Sequence, residues 1–334
     1  MRMDRAQAGS LLERMRGRKV AVLGDLMLDE YLFGEVSRIS PEAPVPIVRV
    51  SRERAVLGGA ANVAANLKAI GAEPMLVGTL QRDLAGNRLQ ALLRGLEIRT
   101  DWLVIDATRP TIIKTRVIGQ QQQMLRIDRE DTSEFQPMAV EGLCAGLDRA
   151  LEEASALIIS DYAKGAVSLG VMDRVRERCR TRGIPWIVDP KPSQMALYQG
   201  ATLMTPNTKE LSELSGLPAR GEADLAAAGQ RLVDALGLQG LLVTRSEKGM
   251  ALFAPDVLHR APWLIPTEAR EVFDVSGAGD TVIAVFSAAI SAGSDWRSAA
   301  MLANAAAGIV VGKVGTATAT PEEVLRHYQD QEAV

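Results

Sequence analysis

The sequence predicts an α/β fold with a mainly parallel sheet that is covered by helices on both faces. Short apolar runs alternate along the chain with longer helical stretches. The runs are almost continuously apolar, which is typical of strands buried between two layers of helices. At 334 residues, the chain is long enough to bury about three-quarters of the surface that it exposes when unfolded, so one large core is feasible.

The predicted strands and helices follow one another in a regular order. The clearest strand candidates are KVAVLGD (19–25), PMLVGTL (74–80), ALIISD (156–161), IPWIVDP (184–190), ATLMTPN (201–207) and GLLVTR (240–245). Helical patterns between them cover 60–70, 170–180 and 224–236. These helices provide the crossover connections that parallel strands require.

Polar residues follow four of these predicted strands directly. They are Asp25, Asp161, Asp189 and Asn207. Open parallel sheets bind their ligands at the carboxyl ends of the strands. A solvated loop residue explains any one of the four equally well, but four together favour a common rim at a binding site.

Two stretches interrupt the α/β alternation and predict a small separate sheet. Their segments have the pattern of short antiparallel strands with no helix between partners. The segments are 31–36, 45–50, 111–118 and 123–128. With a period of two, Lys114 and Arg116 share one face with Ile112, and Arg126 lies on the opposing strand. Such a basic face is suited to a phosphate on the substrate, although an ordinary solvated strand face has the same pattern.

Residues 274–281 read DVSGAGDT and lead directly into an apolar stretch with the pattern of a buried helix. A glycine-rich turn at a helix start leaves backbone N–H groups unpaired, and the positive end of the helix dipole adds to their attraction for phosphate oxygens. Asp280 falls in the first helical turn, close enough to take a proton from a hydroxyl that attacks phosphorus. The alternative is a plain glycine turn capped by an aspartate, and this motif alone does not decide between the two.

Composition and missing motifs exclude several function classes. With 38 basic and 41 acidic residues interspersed, the net charge of −3 gives no pattern for nucleic acid or for an anionic membrane, so we expect small-molecule partners. The chain has two histidines and no CxxC, which disfavours a zinc site, and it contains no GxxxxGK[ST] phosphate loop. Because the N-terminus is not leader-like and no apolar run reaches about 18 residues, we expect a cytoplasmic location.

Four motifs, in their order and spacing, resemble the ribokinase-like, PfkB-type sugar kinases over nearly the whole chain. They are GGAANVAANLKAIGA (58–72), TPNTKE (205–210), VTRSEKG (243–249) and DVSGAGDT (274–281). Longer segments are similar to one branch of that family, the D-glycero-β-D-manno-heptose-7-phosphate kinases. These segments are GDLMLDEYLFGEVSRISPEAPVPIVRV (24–50), SDYAKGA (160–166) and NAAAGIVVGKVGT (304–316). Many members of this branch are fused to a nucleotidyltransferase, and we expect the stand-alone kinase form here.

The resemblance implies a ribokinase-like, doubly wound sheet with a small β-sheet lid. It implies a single kinase domain over 1–334, with lid strands drawn from about 31–50 and 111–128. At the positions that match the glycine-rich motif, Asp280 is implied as the base that deprotonates the acceptor hydroxyl. The implied anion hole for the transferring phosphoryl group consists of Gly277, Ala278 and Gly279.

The resemblance also implies ATP and Mg²⁺ as cofactors. The residues implied at the nucleotide site are Asn207, Glu210, Thr244, Gly249 and Asn304. Glu210 is implied to hold the metal through water. Asn207 and Glu210 also have the pattern of a helix capping box, and the two roles are compatible. Many relatives bind a monovalent cation beside the anion hole, a feature that the sequence leaves open.

For the acceptor sugar, the resemblance implies a set of residues that hold its hydroxyl groups. They are Asp29, Gly58, Gly59 and Asn62, although a turn before a helix explains the glycine pair equally well. A substrate that is already phosphorylated needs a charge-complementary site. The candidates for its phosphate are Arg38, Lys114, Arg116 and Arg126, with Asp189 and Lys191 assigned to the same ligand.

The leading hypothesis is an ATP-dependent kinase that phosphorylates heptose 7-phosphate at the C1 hydroxyl. Its product, the 1,7-bisphosphate, would serve the synthesis of ADP-heptose and of lipopolysaccharide core precursors. The alternatives are another PfkB-type kinase for a sugar, sugar phosphate or nucleoside, and a non-catalytic protein that binds a sugar phosphate. An aromatic content of 4% argues against nucleosides, which favour stacking surfaces. We also expect a homodimer that forms through the lid strands, because their edges are otherwise unprotected.

Overall fold

The computed structural model describes residues 3–120, 122–254, 261–269, 272–313 and 315–332. Its strands are β1 (Lys19–Gly24), β2 (Leu26–Ile39), β3 (Pro46–Gly59), β4 (Glu73–Leu80), β5 (Leu103–Ile105), β6 (Ile112–Gly119), β7 (Gln122–Arg129), β8 (Ala156–Ser160), β9 (Trp186–Asp189), β10 (Leu203–Met204), β11 (Gly240–Thr244), β12 (Met250–Phe253) and β13 (Trp263–Ile265). Its helices are α1 (Arg5–Met15), α2 (Ala60–Ala69), α3 (Leu84–Gly95), α4 (Pro137–Leu151), α5 (Leu169–Arg182), α6 (Thr208–Ser215), α7 (Glu222–Leu236), α8 (Ala278–Ser291), α9 (Trp296–Val311) and α10 (Pro321–Glu332).

The larger sheet has nine strands in the described part of the chain, in the order β13-β12-β11-β10-β9-β8-β1-β4-β5. Neighbouring strands from β11 to β5 pair in parallel, and β12 and β13 continue the sheet through antiparallel pairs. All the strands predicted from apolar runs lie in this sheet, so the mainly parallel α/β prediction is confirmed. The strand order reverses beside β1, because β4 lies on one side of it and β8 on the other. Ligands bind at such a switch point in open parallel sheets.

Alternate side chains of the central strands are buried on opposite faces of this sheet. On β1, Val20 and Val22 pack on one face, whereas Ala21 and Leu23 pack on the other. Helices α1, α2, α3, α8, α9 and α10 cover the first face, and α4, α5, α6 and α7 cover the second. Each fully buried aliphatic side chain contributes roughly 1.5–3 kcal/mol, so the two layers stabilise the edge that carries the site. Within the described ranges, no helix combines the length and the apolar character needed to cross a membrane.

Helix α8 lies inside the first of these layers. Nearly all of its residues are buried, and it packs against α2, α9 and the central strands. A helix that is apolar on all sides must be surrounded in this way. The packing fixes the N-terminus of α8, with its glycine-rich turn, at the ligand-binding edge of the sheet.

A second, smaller sheet has four strands in the described part of the chain, in the order β3-β2-β6-β7, and is called the lid below. The pairs β2–β3 and β6–β7 are antiparallel, as the sequence predicts, but β2 and β6 pair in parallel. The expectation of antiparallel partners with no helix between them is therefore wrong for this central pair. Between β2 and β6 the chain passes through β3, α2, β4, α3 and β5, and this long return allows a parallel pairing.

Candidate active site

A cavity of about 400 Å³ lies between the lid, the switch-point edge of the large sheet and the N-terminus of α8. Its lining includes the predicted site residues Asp29, Gly59, Asn62, Lys114, Arg116, Arg126, Lys191, Gly277 and Asp280. These residues come from segments far apart in the sequence. The fold therefore brings candidates for sugar binding, phosphate binding and catalysis to one space.

Asp280 lies buried in the first turn of α8 and lines the cavity. Its Oδ2 accepts a hydrogen bond of 2.6 Å from Asn62 Nδ2, and its Oδ1 accepts one of 3.1 Å from the Tyr162 hydroxyl. Burial raises the pKa of Asp280 to about 6, the two donors lower it, and the nearby Asp29 carboxylate raises it. At neutral pH the carboxylate is therefore ionised, and it is basic enough to accept a proton from a substrate hydroxyl.

The backbone before Asp280 forms a turn with free N–H groups. Gly277 has a φ of 80°, and a Cβ there would come within 2.9 Å of the amide that donates to Asp280. In the described part of the chain, the N–H groups of Gly277, Gly279 and Asp280 have no acceptor, as expected for a first helical turn. The N–H of Ala278 instead donates to the Val275 carbonyl at 3.2 Å. Ala278 was predicted to join the anion hole, and in this structure its N–H is already used by the turn.

Asn62 lies in the first turn of α2 and is held by a buried polar chain. Asn66 Nδ2 donates to the Asn62 carbonyl at 2.9 Å, and the Thr281 hydroxyl donates to Asn66 Oδ1 at 2.8 Å. The chain joins α2 to α8 and fixes the amide that contacts Asp280. The resemblance implies that Asn62 holds hydroxyl groups of the sugar. In the structure Asn62 lines the cavity, and its Nδ2 donates to the candidate base.

The loop that follows β8 brings Tyr162 to the cavity. Asp25, at the end of β1, accepts hydrogen bonds of 2.9–3.0 Å from the backbone N–H groups of Tyr162, Lys164 and Ala166. Burial raises the pKa of Asp25, and these three donors oppose the increase. A buried carboxylate with this many backbone partners fixes the conformation of the loop.

The polar residues predicted at strand ends follow the adjacent strands β1, β8, β9 and β10. Asp25 binds the loop after β8, and Asp161 binds the same loop by accepting the Ala163 N–H at 2.6 Å. Asp161 also accepts a hydrogen bond of 2.6 Å from the Tyr198 hydroxyl, and burial raises its pKa to about 6. Asp25 and Asp161 therefore fix the loop at this edge of the sheet, because their carboxylates accept hydrogen bonds from other groups of the protein.

Basic side chains of the lid and of the β8 loop line the cavity in ion pairs. Lys114 lies 3.1 Å from Asp128 and 3.2 Å from Glu130. Arg126 lies 2.8 Å from Asp128, and Lys164 lies 2.7 Å from Glu130. Burial alone would raise the pKa of Glu130, but hydrogen bonds from the two lysines outweigh it and lower the pKa below its ordinary value. The cations are therefore gathered at the site, and each contacts a carboxylate.

Asp29 and Arg116 form another ion pair in the cavity wall, on the neighbouring strands β2 and β6. Arg116 Nη1 lies 2.8 Å from Asp29 Oδ1, and the guanidinium lies 5.4 Å from the centroid of the Tyr31 ring. A Cβ at Gly58 would come within 2.7 Å of Asp29 Oδ2. The glycine therefore allows β3 to pass close to this carboxylate, while Gly59 lines the cavity itself.

Of the two predicted ligands Arg38 and Lys191, only Lys191 lines the cavity. Arg38 is exposed near the far end of β2, seven residues beyond Tyr31 of the cavity wall, which is about 23 Å along a strand. Arg38 therefore does not join the other predicted phosphate ligands, because β2 runs away from the site. Lys191 does line the cavity, with its Nζ 5.6 Å from the centroid of the Tyr162 ring. Within the described ranges, Lys191 forms no ion pair with a carboxylate.

Asp189 lies between the acceptor cavity and the predicted nucleotide residues. Burial raises its pKa well above the ordinary value, and the carboxylates of Asp280 and Glu210 raise it further. Lys191 opposes this increase. Asp189 ends β9, which lies between β8, whose following loop reaches the cavity, and β10, which leads to Asn207.

Asn207 and Glu210 form a capping box at the start of α6. Asn207 Oδ1 accepts from the N–H groups of Lys209 and Glu210 at 2.9 Å, and Glu210 Oε2 accepts from the N–H of Asn207 at 3.0 Å. The capping interpretation of this pair is confirmed. In the part of the chain that the structure describes, Glu210 Oε1 has no hydrogen-bond partner, so it is available to a second group.

Thr244, Gly249 and Asn304 lie around the same edge of the sheet. Thr244 ends β11 and forms an isolated parallel bridge with Asn207, so these two residues are neighbours. Gly249 directly precedes β12. Asn304 is buried in α9, and its Nδ2 donates to the Pro266 carbonyl at 2.8 Å. Asn304 therefore supports the segment at this edge through its side chain.

Tyr162 and Lys164 line the cavity, although sequence reasoning did not select them as site residues. The available signal was their position in SDYAKGA, directly after a predicted strand and next to Asp161. Their approach to Asp280 and to the lid depends on the pairing of β1 with β8, because Asp25 at the end of β1 holds their loop. The order of strands in the sheet is not visible in the sequence.

A larger groove of about 960 Å³ lies beside α6, the loop after it and residues 245–248. Its lining contains none of the residues predicted for the acceptor sugar or for catalysis. It also lacks a convergent set of buried polar groups, which is the more specific mark of a binding site. The smaller cavity at Asp280 is therefore the better candidate active site.

Comparisons with known proteins identify the family of the chain. The model of the pfkB family carbohydrate kinases matches residues 18–323. The chain is 45% identical over 313 residues to the bifunctional protein HldE of Desulfatibacillum aliphaticivorans, which covers 94% of this chain and 63% of that protein. It is 46% identical over 311 residues to the bifunctional protein HldE of Azorhizobium caulinodans, with 91% and 63% covered. The chain thus spans less than two thirds of the length of these relatives.

Solved structures show the same fold at low sequence identity. Arabidopsis thaliana ribokinase complexed with ribose and ATP superposes with a TM-score of 0.73 at 22% identity, over 94% of this chain and 99% of that chain. Phosphofructokinase-2 from Escherichia coli in complex with potassium has a TM-score of 0.76 at 18% identity, over 95% and 99%. These neighbours confirm the ribokinase-like fold with its second, smaller sheet. Because the family model covers most of the sequence, the chain belongs to the pfkB family of carbohydrate kinases and is a sugar kinase.

Proposed function

We propose that this sugar kinase transfers the γ-phosphoryl group of ATP to the C1 hydroxyl of D-glycero-β-D-manno-heptose 7-phosphate. The product, heptose 1,7-bisphosphate, would serve the synthesis of ADP-heptose and of lipopolysaccharide core precursors. The observation that carries the proposal is the single cavity that contains both Asp280 and a group of cations from the lid. A sugar with a free hydroxyl at one end and a phosphate at the other matches both features.

The similarity of three long segments to heptose-7-phosphate kinases supports this choice among sugar phosphates. Identities of 45% and 46% to two proteins named HldE support it as well, because they extend over more than nine-tenths of the chain. Low-identity neighbours such as ribokinase support the fold alone. The choice of heptose over other phosphorylated sugars therefore rests on the close relatives and on the cations of the cavity.

Asp280 is the proposed base. As the C1 oxygen bonds to the γ-phosphorus, the bond from that phosphorus to the β–γ bridging oxygen breaks and ADP leaves. The proton of the C1 hydroxyl passes to the Asp280 carboxylate, whose pKa of about 6 leaves it ionised at neutral pH. A positioned base of this kind contributes about 10²-fold to 10⁴-fold in rate. The Asn62 amide donates to one oxygen of this carboxylate and limits the reorganisation needed before it meets the hydroxyl.

The turn at the start of α8 is the proposed site for the transferring group. Phosphoryl transfer proceeds through a loose transition state, so positioning and charge stabilisation supply most of the acceleration. The free N–H groups of Gly277 and Gly279 lie next to Asp280 in this turn. They and the helix dipole would stabilise the equatorial oxygens of the phosphoryl group.

The cations of the lid and of the loop after β8 are the proposed ligands of the 7-phosphate. Lys114, Arg126 and Lys164 contact the carboxylates of Asp128 and Glu130, and a bound phosphate would take over part of these contacts. A sugar without a phosphate has no anionic group that could replace the carboxylates as the partner of these cations. The ion pairs would therefore favour phosphorylated substrates over neutral ones.

The edge formed by β10, β11 and α6 fits ATP and Mg²⁺. Carboxylate and amide oxygens are the ligands that Mg²⁺ prefers, and Glu210 retains one carboxylate oxygen without a protein partner in the described part of the chain. Glu210 and Asn207 would hold the metal through water, with Thr244, Gly249 and Asn304 beside the nucleotide. When bound, the magnesium nucleotide supplies the phosphoryl group.

The potassium complex of a fold neighbour extends the proposal to a monovalent cation. Comparison of the activity in potassium buffer with that in tetramethylammonium buffer would test this extension.

The test is ADP release with ATP, Mg²⁺ and both anomers of synthetic heptose 7-phosphate. Unphosphorylated heptose, fructose 6-phosphate, ribose and adenosine serve as comparison substrates. We expect the highest kcat/KM with the β anomer of heptose 7-phosphate and a loss of at least about tenfold without its phosphate. A higher kcat/KM for fructose 6-phosphate or adenosine would assign the protein to another PfkB-type activity. Binding of both ligands without ADP release would indicate a non-catalytic protein.

We also propose that residues 1–334 form one kinase domain whose lid pairs with the lid of a second copy. The lid exposes large apolar side chains, including Ile39, Leu125 and Ile127, of which Ile127 is 53% exposed. Strand β7 is also an edge strand of its sheet in the described part of the chain. A second lid would cover both the edge and these side chains.

A further inference from the structure

We infer that Tyr162 is a positioning residue that holds the Asp280 carboxylate in the orientation needed to receive the substrate proton. The inference rests on the proposed role of Asp280 as the base. The Tyr162 hydroxyl donates to Oδ1 at 3.1 Å, while Asn62 donates to Oδ2 at 2.6 Å. With one donor on each oxygen, the carboxylate cannot rotate without breaking a buried hydrogen bond, and this keeps it in a reactive geometry.

The backbone around Tyr162 is fixed independently of the lid. Asp25 accepts its N–H and two further N–H groups of the same loop. Arg109, which is buried, donates to the Lys164 carbonyl at 3.0 Å. Ala163 has a φ of 54°, a left-handed conformation that a residue with a Cβ keeps only where its surroundings fix the backbone. The position of the Tyr162 ring is therefore set by the main body of the protein.

The hydroxyl of Tyr162 remains a donor at working pH. Burial raises the pKa of Tyr162 well above its ordinary value, and the carboxylates of Asp280 and Asp189 raise it further. The donated hydrogen bond in turn lowers the pKa of Asp280 against the effects of burial and of Asp29. The other charged groups in or beside the cavity are Asp189, Lys114, Arg116, Arg126, Lys164 and Lys191.

Removal of this hydroxyl should therefore change the base rather than the binding of the sugar. In Tyr162→Phe, Oδ1 loses its donor, so the pKa of Asp280 should rise by about one unit. The acid limb of the kcat profile should move to higher pH by the same amount, and kcat at about pH 6 should fall about fivefold. The KM for the sugar phosphate should stay within about threefold, because Tyr162 acts through Asp280.

The test combines two measurements on Tyr162→Phe. The first is a carboxyl ¹³C NMR titration of Asp280 in the ligand-free protein, with Asp280→Asn used to assign the signal. The second is the pH dependence of kcat and KM with the best sugar substrate. Tyr328→Phe is the matched control, because Tyr328 is buried and its hydroxyl donates to the Met301 carbonyl at 3.4 Å, outside the cavity. The control should leave the Asp280 titration and the kcat profile unchanged.

The NMR titration uses the ligand-free protein. It therefore tests this inference even if heptose 7-phosphate is not the substrate. An Asp280 pKa that is equal in Tyr162→Phe and the parent protein would overturn the inference. A higher KM with an unchanged kcat profile would also overturn it, since Tyr162 would then bind the sugar directly. An increase in kcat in Tyr162→Phe would also overturn the inference, because the Tyr162 hydroxyl would then compete with the hydroxyl of the sugar for the Asp280 carboxylate.

Discussion

The side chains of Asn62 on α2 and Asp280 on α8 are joined by a hydrogen bond of 2.6 Å, although the two residues lie 218 positions apart in the sequence. The bond is buried, and it belongs to a chain that continues through Asn66 to Thr281. It ties the helix after the lid strand β3 to the helix that carries the glycine-rich turn. The orientation of the candidate base thus depends on the packing of α2 against α8.

Replacing Asn62 by Asp should create a pair of carboxylates that share one proton. Two carboxylates at this distance cannot both be ionised, so the pKa of Asp280 should rise clearly above 6. We expect kcat at neutral pH to fall more than about tenfold and to recover partly in alkaline buffer. The pH profile of kcat measures this effect, with Asn87→Asp on the exposed face of α3 as the control. A variant with the parent profile would show that Asn62 does not contact the base in solution.

Asp280→Asn should stabilise the fold near neutral pH and lose this advantage in acid. Folding raises the pKa of Asp280 from 3.8 to about 6, so the folded state binds more protons than the unfolded state between these values. The stability of the parent protein therefore falls as pH rises through this window, and the amide variant escapes the loss.

The expected gain for Asp280→Asn is about 1–3 kcal/mol in the free energy of unfolding at neutral pH, and close to none below about pH 4. Urea unfolding of both proteins at the two pH values measures it. Asp234→Asn, on the exposed side of α7, should show no such difference between the two pH values. A stability difference between variant and parent that is the same at both pH values would mean that burial does not raise the pKa of Asp280.

Much of the fold follows from the sequence because its signals are local. Continuous apolar runs such as KVAVLGD become the central strands, and the buried helix after DVSGAGDT becomes α8. The capping box of Asn207 and Glu210 also follows from residues three positions apart. Motifs that combine a turn, a helix start and a functional side chain within a few residues are therefore readable from the sequence.

Other features of the fold and the site depend on contacts between residues that are far apart in the sequence, and such contacts leave no local pattern. The parallel pairing of β2 with β6 depends on the route of the chain through the main body. The role of Tyr162 depends on Asp25, which lies on a strand adjacent in space but distant in sequence. Arg38 carries the expected charge, yet the length of β2 moves it away from the cavity. Charge and spacing alone did not reveal these positions.

Lys191→Met should weaken the binding of the sugar phosphate. Lys191 lines the cavity and forms no ion pair with a carboxylate in the described ranges, so its ammonium group is available to an anionic ligand. We expect the KM for the phosphorylated sugar to rise about tenfold, with kcat changed less than about threefold. Arg52→Ala, which removes a cation that lies over Phe33 outside the cavity, should change neither parameter. An unchanged KM in Lys191→Met would remove this lysine from the phosphate site.

Ile127→Glu should disrupt the proposed dimer. A charge on the exposed edge strand β7 opposes the burial of this strand against a second lid, whereas it costs little on a free surface. Light scattering should give the mass of a dimer for the parent protein and of a monomer for the variant. Leu169→Glu, at an exposed position on α5 outside the lid, should leave the dimer intact. A parent protein that remains a monomer at all concentrations would refute the lid interface.

The most direct test of the account is the rate of ADP formation by Asp280→Asn beside the parent protein, with ATP, Mg²⁺ and heptose 7-phosphate. Calorimetric titration of each ligand into the same two proteins accompanies the assay. The account predicts that both ligands bind the variant with affinities close to those of the parent, while kcat falls by about 10²-fold or more. Turnover by the variant within a few-fold of the parent, with both ligands bound, would contradict the role of Asp280 as the base.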